Sequence, residues 1–117
     1  MTREDLARRC EAATGPDRAL DCAIRDTLRL PNDYSADWGA RKHEIPAAYP
    51  YTASLDAALT LVPGEAFWRV GHDGAGPDPS AFRADVFQTP GTGLNVARSA
   101  TPALALCAAA LRAGGEG

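Results

Sequence analysis

Apolar residues recur at helical spacing through the first third of the chain and then give way to alternation in its second half. Leu6, Cys10 and Ala13 fall on one helical face, and Thr2 followed three residues later by Asp5 supplies a capping pair. Gly15-Pro16 stops that helix. Asp17 caps a second, whose stripe is Leu20, Ala23, Ile24, Thr27 and Leu28, with Pro31 as terminator and Asp21 placed to pair with Arg25 one turn on. A third helix is predicted to begin near Ser54, with Leu55, Ala58, Leu59 and Val62 on one face and Pro63-Gly64 as its stop.

The period then becomes two. Segments 67–72, 82–88 and 94–99 read as strands, separated by the turn-rich stretches 73–79 and 90–93, and connections this short favour an antiparallel meander. Strand parity sets Trp68, Val70, Phe82, Ala84, Val86, Leu94 and Val96 on one face, and Phe67, Arg69, Arg83, Asp85, Phe87 and Asn95 on the other. Thr101 is a natural N-cap and Pro102 a natural first helical residue, opening an Ala-rich run to Arg112 that Gly114 ends. Three helices, three strands and a helix make an α+β chain of the broad α/β class.

Composition narrows the setting. A chain of 117 residues, 45% apolar and 23% charged, suits a single domain over 1–117 with one modest core. A formal net charge of −3 supplies no general field for nucleic acid. No apolar run approaches the roughly twenty residues that cross a bilayer, and the start is charged rather than signal-like, so a cytoplasmic protein off the membrane is expected. Cys10, Cys22 and Cys107 are odd in number and lack CxxC spacing, the pattern of free thiols.

Binding chemistry gathers in three places. The segment from about 29 to 51 follows no period and carries Tyr34, Trp38, Arg41, Lys42, His43, Tyr49 and Tyr51, flat rings and cations of the kind that dominate binding hot spots, or else rings that pin a long loop to the core. The start of the last helix offers free amides, the hydroxyls of Ser99 and Thr101 and the guanidinium of Arg98 as an anion site, against the plainer reading of an ordinary cap. The strand face with Phe67, Arg69, Arg83 and Phe87 mixes aromatics and arginines that can stack on and neutralise a nucleotide, unless helices cover it. His72-Asp73 with Asp78 is better read as turn chemistry than as a metal site, and Gly91-Thr-Gly93 as a hairpin turn than as a phosphate loop, so neither metal nor cofactor is expected.

The stretches Arg9-Cys-Glu-Ala-Ala-Thr-Gly-Pro-Asp17, Tyr51-Thr-Ala-Ser-Leu-Asp-Ala-Ala-Leu-Thr-Leu-Val-Pro63 with Phe67-Trp-Arg-Val70, and the Ala100 to Arg112 tail resemble the phage ABA sandwich domain family. That resemblance implies a three-layer α/β/α sandwich, with helices on both sides of the small three-stranded antiparallel sheet, and assigns no catalytic residues. The order helix, three strands, helix is also similar to the double-stranded RNA-binding fold, but the last helix opens Thr101-Pro-Ala-Leu and contains no Lys with which to grip phosphates. The resulting expectation is a non-catalytic phage accessory protein, a homo-oligomer in the host cytoplasm, that counters bacterial defence by sequestering a nucleotide signal or masking a defence protein. The rivals are a small nucleotide-degrading enzyme, with His43, His72 or Asp73 as acid or base, and an RNA-binding or virion-associated protein.

Overall fold

A computed structural model describes residues 2–30, 48–64, 66–72, 82–87 and 94–113. Helix α1 spans Arg3–Ala12 and is closed at its start by a reciprocal capping box: Thr2 accepts from the Asp5 amide while the Asp5 carboxylate accepts from the Thr2 amide. Helix α2 spans Arg18–Leu28. Asp17 caps it by accepting from the Leu20 amide, and Arg29 ends it in the left-handed region at φ 56°. Helix α3 is a short piece, Leu55–Leu59, capped by Ser54. It stops earlier than the apolar stripe predicts and buries Ala57, Ala58 and then Leu61, leaving Leu55 exposed.

Strands β1 (Phe67–His72), β2 (Phe82–Phe87) and β3 (Asn95–Ser99) form an antiparallel sheet in sequence order, and α4 (Pro102–Ala113) follows. The α+β class and the order ααα-βββ-α are therefore as expected. Residues 103 to 111 of α4 are all buried, so this helix is covered on every side. Strands β2 and β3 pack on it, as do α1 and α3, while α2 packs on α1. Its many alanines let these neighbours approach closely. Among the described residues the helices that meet the sheet, α1 and α4, do so on one side, and α1 also runs along the β3 edge. No helix of the described residues is long and apolar enough to cross a membrane.

Asp21 does not pair with Arg25 as its spacing suggests. It is fully buried and accepts from Arg18 at 2.8 Å and from the Thr52 amide at 2.8 Å. Thr52 in turn accepts from the Asp17 amide and donates to the Asp17 carbonyl, so the start of α2 is stitched to the turn before α3. Arg25 bonds Asp26 instead.

Candidate functional site

Pairing between strands decides which side chains share a face. Ala84 lies opposite Ala97 and Val86 opposite Asn95, so the sheet face toward α4 carries Trp68, Val70, His72, Phe82, Ala84, Val86, Asn95, Ala97 and Ser99. The opposite, outer face carries Phe67, Arg69, Gly71, Arg83, Asp85, Phe87, Val96 and Arg98. This corrects the parity expected for β3 by one residue: Val96 faces out, Asn95 faces in, and Leu94 lies before the strand begins. The physical reason is burial of the small Ala97 and Ser99 against the helices, which outweighs the larger Val96.

One consequence is an arginine cluster on the outer face. Arg69 stands directly opposite Asp85 and donates to it at 2.6 Å, while Arg83, two residues along β2, donates to the other carboxylate oxygen at 3.0 Å. Arg83 in turn stands opposite Arg98. Three guanidinium groups thus share a face with one carboxylate. The Asp85 side chain is only 5% exposed, and burial pushes its pKa up, but the hydrogen bonds from Arg69 and Arg83 and their charges outweigh that and hold it below the ordinary value. Arg69 keeps 71% of its side chain exposed, so the guanidinium is anchored through Nε and presents the rest of its fork at the surface.

The aromatic component sits one pair further along. Phe67 and Phe87, opposite each other, stack with centroids 5.5 Å apart, and Phe67 remains 58% exposed. Toward the other end of the strands, Arg69, Val70, Gly71, His72, Arg83 and Asp85 line a cavity of about 290 Å³. Gly71 leaves its floor open, since a Cβ there would meet nothing within 4 Å. A fixed arginine fork, an exposed phenyl face and a small cleft can hold an anion that carries a flat ring: phosphate or carboxylate on the guanidinium, the ring on Phe67.

The other expected site residues separate from this face. Ser99 is buried, its hydroxyl donating to the Cys10 carbonyl at 2.7 Å, and Thr101 accepts from the Leu104 amide as a cap. Arg98 points to the face opposite Ser99, because neighbouring strand residues do. The proposed grouping of Arg98, Ser99 and Thr101 at the start of α4 is thus replaced by an ordinary cap. Tyr51 is 2% exposed and lies in the core against Tyr49 and the Cys107 thiol, which donates to the Tyr51 carbonyl. It pins the chain and offers no binding surface, and burial raises its pKa. Tyr34, Trp38, Arg41, Lys42 and His43 lie outside the described residues, as do the turns 73–81 and 88–93. Of the expected residues, Arg69 and Arg98 are brought to one face; Asp85 and Arg83 complete it. A mid-strand Asp between apolar neighbours was the available signal for a charge that must be paired.

No family model matches this chain, and no curated protein or solved structure matches it.

Proposed function

We propose that this chain is a non-catalytic binding protein whose outer sheet face takes a small nucleotide-like anion, and that it sequesters such a signal in a phage-infected cell. The carrying observation is the Arg69 guanidinium, tied to a buried Asp85 yet largely exposed, beside a cleft and an exposed phenyl ring. Pre-positioning one guanidinium through a buried carboxylate lowers the ordering cost of gripping a phosphate. Stacking on Phe67 adds affinity for a base without requiring a base-specific hydrogen bond. The same protein is proposed to work as a homo-oligomer.

The test is calorimetric titration of the purified chain with mononucleotides, cyclic nucleotides, dinucleotides and inorganic phosphate, followed by recovery of the ligand. Binding with intact ligand recovered, weakened at least about tenfold by Arg69→Ala, is the expected result. No heat with any member of the panel, or equal binding by Arg69→Ala, overturns the site. Conversion of the ligand would replace sequestration by the enzymatic reading.

A further inference from the structure

The two edges of the sheet are built differently. On β3, Val96 and Arg98 direct their main-chain groups away from β2: the Val96 carbonyl accepts from Arg112 at 3.2 Å, and the Arg98 amide donates to Glu11 at 3.4 Å. That edge is closed by one side chain from α4 and one from α1. Antiparallel pairing alternates the direction of main-chain groups along a strand. Asn95, Ala97 and Ser99 therefore bond Val86, Ala84 and Phe82, so that Phe87, Asp85 and Arg83 bond Phe67, Arg69 and Gly71. Trp68, Val70 and His72 are left with N–H and C=O groups aimed at the open side of β1, where no described residue hydrogen-bonds to them.

The side chains match this picture. Trp68 is 45% exposed and Phe67 more so, and five of the six β1 residues are exposed. Within the strand no proline or bulge blunts the edge, and its one arginine is drawn back onto Asp85.

We infer that β1 pairs antiparallel with β1 of a second copy, about a two-fold axis at Val70, to make one continuous six-stranded sheet. The register follows from parity. Partners must both point their main-chain groups outward or both inward, which leaves two registers that overlap most of β1. One sets Arg69 against Arg69 of the other copy, a destabilising like-charge pair, and joins only Trp68 with Val70. The other sets Val70 against Val70, Trp68 against His72 and Arg69 against Gly71 of the other copy. It forms more main-chain bonds, covers the half-exposed indole with an imidazole, and sets each Arg69, held back on its own Asp85, against a glycine that offers no side chain to clash with it. Among the described residues the cleft beside Arg69 is lined by β1 and β2, and the second β1 adds a wall to it along the β1 edge. This inference deepens the proposed self-association and rests on it, but not on the ligand, so the two fail separately.

The experiment is sedimentation of the full chain from micromolar to millimolar concentration, with amide hydrogen exchange read at each end of the range. Two chains per particle are expected, with the Trp68, Val70 and His72 amides slowing as dimer forms while Arg69 and Gly71 stay slow throughout. Val70→Pro removes an edge donor that β2 does not use and should weaken the dimer at least about tenfold. Trp68→Lys should do the same, and serves if the proline variant does not fold. A single chain at every concentration overturns the inference. So does a dimer whose edge amides exchange as in the monomer, since that dimer uses another surface, and so does pairing of this edge with a different polypeptide while the chain itself stays single.

Discussion

Arg112 in the last turn of α4 and Glu11 in the last turn of α1 meet as a two-pronged pair, at 2.7 and 2.8 Å. The same guanidinium reaches Glu4 at 2.9 Å and the Val96 carbonyl at 3.2 Å, so one side chain ties both helices to the sheet edge. The hydrogen bonds that Arg112 donates to Glu11 and then to Glu4 raise its own pKa, and the bond Glu4 accepts from Arg112 is the main cause of the lowered Glu4 pKa. Arg112→Ala should cost about 1–2 kcal/mol, more than an ordinary surface pair, because the fork is bidentate and partly covered. Arg112→Lys should recover only part of it, since a single ammonium nitrogen cannot reproduce the planar two-nitrogen grip on the Glu11 carboxylate. Urea midpoints at unchanged slope would measure both.

Asp85 and Glu4 should make the fold sensitive to acid. Both carboxylates have folded-state pKa values below their ordinary ones. Their stabilisation is therefore fully present above the unfolded-state values, about 3.9 and 4.3, and is lost as pH falls through the depressed folded-state values. Asp85→Asn should be less stable than the parent at neutral pH and lose less on acidification. Thermal midpoints between pH 7 and pH 2.5 would show the two curves converging; parallel curves would remove Asp85 from the account.

Thr52→Val tests the stitch between α2 and the α3 turn. The substitution keeps the shape of the side chain but leaves the Asp17 amide without the acceptor it has at 2.8 Å. A loss of about 1–3 kcal/mol is expected from a deprived, largely covered donor. Asp21→Ala, which strips the acceptor from the buried Thr52 amide and a partner from Arg18, should cost at least as much.

Enlarging α4 should fail for steric reasons. Ala108 and Ala109 are fully buried on a helix packed all round, so replacing either by Leu must push the sheet or α1 away. A cost of about 1–3 kcal/mol is expected, with Ala113→Leu near neutral because that position is only partly buried. Chemical denaturation of the three variants distinguishes tight packing from mere apolar character.

Local chemistry was the legible part of this chain. Thr2 with Asp5, Asp17, Ser54 and Thr101 all cap as their spacing requires, because a cap depends on residues two or three positions away. Strand positions followed from alternation for the same reason. Asp21 was misassigned because its partner Thr52 is 31 residues distant, whereas Arg25 offered itself one turn along. Ser99 looked available as a ligand because nothing near it in sequence reveals that the end of α1 presents a carbonyl to it. The outer-face site was half visible: Arg69, Arg83 and Asp85 share parity, but Arg98 joins them only once the β3 register is known.

Closing β3 with Glu11 and Arg112 has a consequence for how large an assembly can grow. A sheet open on both sides can add copies without end and make fibres. Here a strand added at β1 would use up the side to which no described residue hydrogen-bonds, and the far side of each copy is already capped by its own helices. Growth by the proposed strand addition would therefore terminate at two, and mutations that free Val96 and Arg98 from their side-chain caps would open a second edge through which it continues.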